Sequence, residues 1–287
     1  MLLYYINSMK KHITNLEILK AYDEHLKGVD LADLSRKYNV SWHSLYACFK
    51  RRNFKIIKGL HRNLKYRNNL KAHYFDIINT HEKSYFLGLL MSDGYIRSKS
   101  NEIGLKLKKS DINIIECLKK ELNVNNKIRE DKNSYVLTFS SFQMKQDLIK
   151  YGIIENKTYK QLSIPNINYE FINSFLLGYL DGDGWISIGK NNKIQIGICS
   201  LSNALLIQIK SYLNDFNINS KIYCNKRNLK NINHKDLYSL CISDNISRLK
   251  FLNLLYKDSK IFLKRKYENY LYANTVLNSK INKLESV

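Results

Sequence analysis

The chain repeats itself, and that constrains its fold more than any other feature. SYFLGLLMSDGYI at 84–96 aligns without a gap on SFLLGYLDGDGWI at 174–186. A polar hairpin then leads each copy into an alternating strand, EIGLKLKK at 102–109 and IQIGICSLS at 194–202. Period two puts Ile103, Leu105 and Leu107 on one face and Glu102, Lys106 and Lys108 on the other. Each strand meets a helix, with Asp111 and Ser202 expected as N-caps. A second hairpin and a closing helix follow, so α-β-β-α-β-β-α is expected twice. Pro165, in QLSIPNI between the copies, marks a linker. The expected class is α+β, built as tandem αββαββα repeats.

The repeated segment has a physical logic of its own. Gly88 and Gly178 carry no side chain, so two helices can approach closely along that face, as small residues allow in helix pairs generally. Leu87, Leu90, Leu177 and Leu180 then have a partner helix to bury against. Gly94 and Gly184 follow at the helix ends, where glycine is expected to take a left-handed C-terminal conformation. Asp93 and Asp183 precede them. A carboxylate at a helix C-terminus opposes the helix dipole at a cost of roughly 0.3–1 kcal/mol, and two brought together also repel. A bound divalent cation removes both penalties and is the Lewis acid that phosphodiester hydrolysis needs.

FLGLLMSDG (86–94) and LLGYLDGDG (176–184) resemble the two copies of the LAGLIDADG motif of homing endonucleases. The similarity runs over 81–287. It implies two motif helices packed side by side on a pseudo-twofold, below two antiparallel sheets that saddle DNA. Asp93 and Asp183, with Gly94 and Gly184 beside them, would hold Mg²⁺ or Mn²⁺ over the minor groove. One position departs from the pattern, Met91 standing where the second copy has Asp181. In the family this earlier acid is variable and mostly structural. The resemblance also implies polar or basic residues at the end of each second strand, mapped to Lys109 and Ser200. Lysines at the final element of each copy map to Lys157 and Lys264. The bland alternative for these lysines is two exposed positions among 47 basic residues. DNA-facing positions would be Glu102, Lys106 and Lys108 in the first copy and Gln195, Gly197 and Cys199 in the second. The hairpin residues Arg97, Lys99, Lys190, Asn192 and Arg227 would reach further out.

Upstream, residues 14–53 read as three short helices. Thr14 with Glu17 forms a capping pattern, and Gly28 stops the first helix. Leu31, Leu34, Tyr38, Val40, Leu45 and Phe49 are spaced to be buried. Asn39 sits in a turn and Ser41 is placed to cap the third helix. This resembles the helix-turn-helix of resolvase-like DNA-binding domains, which implies that Trp42, His43, Ser44, Tyr46 and Lys50, with Arg51 and Arg52, face the major groove. An ordinary three-helix bundle with a solvated polar face is the alternative. Residues 50–71 then carry nine Lys or Arg and no acid, a run suited to phosphate contacts without sequence reading. The expected organisation is 1–55 helix-turn-helix, 56–80 basic linker, 81–165 first repeat and 166–287 second repeat.

Charge agrees with a polyanionic partner: the formal net charge is +22, far beyond what solubility needs. No apolar run reaches transmembrane length, and the opening MLLYYINSMKK is too short and polar for a signal peptide, so the expectation is an intracellular protein with no membrane partner. The five cysteines form no CxxC pair, which supports neither a disulfide framework nor a zinc finger. The seven histidines are dispersed, which argues against a His-based metal site.

Three functions compete. The first is a monomeric, site-specific homing endonuclease that makes a metal-dependent double-strand break in a long asymmetric duplex site. The second is a DNA-binding regulator on the same scaffold that does not cleave. The third is a maturase acting on host intron RNA. Retention of both Asp93 and Asp183 favours the enzyme, because a binding-only protein has no use for paired repelling acids. Divergence of the two outer faces, Lys106 and Lys108 against Gly197 and Cys199, makes an asymmetric target the expectation.

Overall fold

The computed structural model describes residues 13–57, 70–155, 162–226 and 236–285. Three helices come first, α1 Asn15–Leu26, α2 Leu31–Lys37 and α3 Trp42–Arg51. The Thr14–Glu17 capping box is present in both directions. Gly28 has φ +97° and Asn39 φ +51°, so the chain turns where left-handed residues let it. Ser41 caps α3 through the Ser44 amide at 2.9 Å. Ile18, Ala21, Leu31, Leu34, Val40, Leu45 and Phe49 form a small separate core.

The first repeat is α4 His81–Ser92, β1 Gly94–Ile96, β2 Glu102–Lys108, α5 Ile112–Leu122, β3 Arg129–Asp131, β4 Ser134–Ser140 and α6 Phe142–Lys150. The second is α7 Ile172–Asp183, β5 Gly184–Ile188, β6 Ile194–Ser200, α8 Asn203–Asn214, β7 Ser220–Asn225, β8 Leu237–Ile242, α9 Asn245–Tyr256 and α10 Lys264–Glu285. Each makes a four-stranded antiparallel sheet of the same order, β1-β2-β4-β3 and β5-β6-β8-β7. The expected tandem α+β architecture is therefore the one observed. Alternation decides the inner faces: Ile103 opposite Phe139 and Leu105 opposite Leu137 in one sheet, Ile198 opposite Leu240 in the other. Ser202 caps α8 through the Leu205 amide, as expected. Asp111 makes no side-chain cap; its buried carboxylate instead accepts from the Arg265 guanidinium at 3.1 Å.

A single apolar cluster runs through both repeats, centred on α4 and α7. Both of these helices are buried nearly all round, which is why their sequences show little amphipathic pattern. The expected linker ends sooner than the sequence suggests. Residues 58–69 lie outside the described residues, while Tyr74, Phe75 and Ile78 pack into this shared core. Among the described residues no helix is long and apolar enough to cross a membrane.

Candidate active site at the joined helix ends

The two motif helices meet at glycine. A Cβ on Gly88 would stand 2.0 Å from the Phe175 carbonyl oxygen, and one on Gly178 would stand 2.0 Å from that of Tyr85. The contact is reciprocal, so the join is locally twofold. It persists to the last turn, where a Cβ on Gly182 would fall 1.9 Å from Ser92 Oγ and 3.0 Å from Asp93 Oδ2. Small residues at 92 and 182 thus let the helix ends touch. Asp93 and Asp183 come to the same end of the pair, both half-buried.

Gly94 and Gly184 are needed for a different reason from the one the sequence suggests. Neither has positive φ; Gly184 sits at φ −107° in extended backbone. A Cβ at Gly94 would meet the Leu90 carbonyl oxygen at 2.5 Å, and one at Gly184 that of Leu180 at 2.6 Å. The chain passes from helix to strand without a loop, and only glycine clears the last helical turn.

The second copy adds a buried polar cluster. Asp181 has no exposed surface, and its carboxylate accepts from the Leu263 amide at 2.7 Å, the Tyr85 hydroxyl at 2.8 Å and the Tyr256 hydroxyl at 3.3 Å. Burial pushes its pKa up to about 6, against the Leu263 amide, the Lys266 ammonium and the two hydroxyls that pull it down. Lys266 lies beside it, 4% exposed. Its ammonium donates to the carbonyl oxygens of Asp181 at 2.8 Å and Gly184 at 2.6 Å, and to that of Leu180. Burial lowers the Lys266 pKa to about 8, with the Asp181 charge opposing. An ammonium at a helix C-terminus offsets the dipole that the acids oppose. The equivalent of Asp181 in the first copy, Met91, is simply packed in the core, 1% exposed.

Several expected site residues stand elsewhere. Lys264 is exposed at the start of α10, and Lys266, two residues on, is the lysine that reaches the helix end. Lys157 lies outside the described residues, as does Arg227. Ser200 points inward, 5% exposed, accepting from the Tyr179 hydroxyl at 3.1 Å and the Ser202 amide at 3.1 Å. Burial and then the Asp183 charge hold the Tyr179 hydroxyl well above the usual tyrosine range. Cys199, assigned to the DNA face, donates to the Asp183 carbonyl oxygen at 3.0 Å and so sits against the site. Lys109 follows β2 in a short 3₁₀ turn and is ion-paired with Glu130. The Gly184 carbonyl oxygen, expected to face a metal, already accepts an ammonium and has one further lone pair.

Most of the residues expected to face DNA are exposed. Lys106, Lys108, Lys99, Gln195 and Lys190 are exposed, as are Trp42, His43, Ser44, Lys50, Arg51 and Arg52, while Tyr46 is half-buried beneath Trp42. Some are already engaged: Arg97 with Glu102 at 2.6 Å, Lys106 with Asp131 at 2.6 Å, Arg52 with Asn15 at 2.5 Å. Gly197 is buried beneath the Trp185 ring, so it presents no surface of its own. Asn192 accepts from Tyr272 at 2.9 Å and tethers its hairpin to α10.

Residues 82–156 match the family model described as a WhiA LAGLIDADG-like domain, and residues 170–256 match a LAGLIDADG-like domain. The two matches together span more than half of the chain. No curated protein matches the sequence. Solved structures with a similar course include mesophilic variants of the homing endonuclease I-DmoI, at 20% identity over 62% of this chain and 97% of that one, TM-score 0.44. I-SmaMI bound to an uncleaved DNA target in the presence of calcium ions aligns at 14% identity over 73% and 94%, TM-score 0.49. The I-LtrWI LAGLIDADG homing endonuclease bound to target DNA aligns at 11% over 74% and 92%, TM-score 0.49. Each repeat matches a LAGLIDADG model in its own right, and the chain belongs to the LAGLIDADG family.

Proposed function

We propose that this chain is a site-specific endonuclease that cuts both strands of duplex DNA by divalent-metal-dependent phosphodiester hydrolysis. The observation that carries this is the meeting of α4 and α7 at their C-terminal ends. Two half-buried carboxylates, Asp93 and Asp183, stand at that same end of the helix pair. Carboxylates at two joined helix C-termini oppose both dipoles and repel each other, and a bound cation offsets both effects. Paired carboxylates are hard donors, which fit an ion such as Mg²⁺ or Mn²⁺ rather than a soft one. Such an ion activates water and stabilises charge on the phosphate.

The chain's own residues do the rest. Asp93 and Asp183 would hold the ions. Lys266 neutralises the carbonyl end of α7 and keeps positive charge near Asp93. The outer strands would bind the duplex, one half-site per sheet, with α3 and the basic run after it adding contacts upstream. Both motifs lie on one polypeptide, so one chain suffices for one asymmetric site.

The test is cleavage of a candidate insertion-site duplex with Mg²⁺ and with EDTA. Asp93→Asn and Asp183→Asn should each keep duplex affinity and lose at least about a hundredfold in cleavage rate, because positioning survives and ion binding does not. Full cleavage by either variant overturns the two-acid mechanism.

A further inference from the structure

The two outer faces differ in kind. On the first sheet the outward positions carry charge: Arg97 with Glu102, Lys106 with Asp131, then Lys108 and Arg129. On the second, Ile186, Ile196, Ile198, Leu240 and Ile242 face inward and are buried, and register fixes what faces out. Trp185 stands opposite Gly197, Gly197 opposite Cys241, Cys199 opposite Ser239 and Ser239 opposite Tyr223. Ser187, Gln195 and Asn225 share this register and are exposed, and among these outward strand positions Lys221, opposite Cys241, is the one charge. The Trp185 ring lies over Gly197, where a Cβ would meet it at 2.4 Å. Tyr223 is 51% exposed. Burial pushes the Cys241 thiol up, so it stays neutral and acts as a small apolar group.

With one lysine, and with Gln195 and Asn225, whose amides suit adenine, this face has less to offer guanine, whose major-groove edge is two acceptors that call for Arg or Lys. The apolar feature of a base edge in that groove is the thymine C5-methyl. We propose that the second sheet reads its half-site through thymine methyl groups, packed on Tyr223, Cys241 and the exposed part of Trp185, while the first sheet reads by charge. The inference rests on the endonuclease reading and adds the base chemistry of one half-site. It also specifies DNA over RNA, since uracil lacks the methyl and the A-form major groove does not admit a sheet.

The test uses the full chain in EDTA, so that nothing is cut. Duplexes randomised over roughly two helical turns are selected for binding. The selected duplex is then resynthesised with deoxyuridine for thymidine in one half at a time. Affinity should fall about fourfold for each buried methyl lost in one half, and should not change in the other. Tyr223→Ser, at an exposed position, should shrink the ratio of affinities for the thymidine and deoxyuridine duplexes, whatever it does to affinity as a whole. Selection of a duplex with G·C pairs in both halves, or one whose affinity ignores the methyls, overturns the inference and leaves DNA binding standing. Selection of no duplex at all overturns the endonuclease reading with it.

Discussion

The Tyr85 hydroxyl on one motif helix donates to the Asp181 carboxylate on the other at 2.8 Å, with no water-exposed surface on either residue. The acid thereby bonds both repeats: Tyr85 from the first, Tyr256 and the Leu263 amide from the second. Removing one member strands the rest. Asp181→Ala removes the largest of the negative charges that hold the buried Lys266 ammonium, leaving Asp93 and Asp111, and should cost about 3 kcal/mol, whereas Tyr85→Phe should cost about 1–3 kcal/mol. Replacing Asp181 and Lys266 together by methionine should cost less than the two single changes added. Urea unfolding of the four proteins measures this. Strict additivity would mean the pair does not act as a unit.

Gly178→Ala should be among the most damaging single-methyl additions in the chain. Its new Cβ would meet backbone oxygen at 2.0 Å, and backbone on a buried helix cannot step aside as a side chain can. A loss of about 3 kcal/mol or more is expected, at the upper end for overpacking. Gly189→Ala serves as the control, because its nearest neighbour stands at 3.5 Å. Thermal unfolding of both variants reads the difference.

In the N-terminal helices His25 is 1% exposed and uses both ring nitrogens. Nδ1 pairs with the Val29 carbonyl oxygen at 2.9 Å, and Nε2 accepts the Ile57 amide at 3.0 Å. That arrangement requires a neutral ring with its proton on Nδ1. Burial lowers its pKa below the usual histidine value. The unfolded chain therefore takes up the proton first as pH falls. The stability contribution is full above about pH 6.5 and is lost as pH drops through the depressed folded value. Histidine resonances followed by NMR should titrate late for His25, with unfolding of these helices setting in below that range. Titration at an ordinary value would count against the Nε2 bond.

A fragment starting at Leu70 should fold, because Tyr74, Phe75 and Ile78 retain their places in the repeat core. Its affinity for duplex DNA should fall and its salt dependence should flatten, since the phosphate contacts of the upstream basic run are gone. Anisotropy titrations at several salt concentrations compare the two proteins. An unchanged slope would mean that residues before Leu70 do not engage DNA.

The sequence was most legible where a short-range rule decides. Repetition located both units, glycine at 88 and 178 located the join, and alternation assigned the inner strand faces. The capping of α1, α3 and α8 followed from local residue types. It was least legible where partners come from afar. Lys264 was preferred over Lys266, yet the burial of Lys266 depends on how α10 lies against α7, 82 residues away along the chain. Ser200 maps to the active site as a strand-end polar residue, although it shares the parity of Ile196 and Ile198, which a strict count turns inward. Asp181 reads from the family pattern as a mostly structural acid, and the structure makes it a buried anchor. Its partners Tyr85 and Tyr256 carry no mark in the sequence that distinguishes them from other tyrosines.

The glycine join also separates two kinds of evolutionary freedom. Gly88 and Gly178 press on main-chain oxygens, so the spacing between Asp93 and Asp183 is gauged by backbone and not by any side chain on the outer strands. Residues such as Lys106, Gln195 and Tyr223 stand on the far side of the sheets from that contact. A lineage can therefore rewrite either face, one half at a time, and keep the same distance between its paired acids.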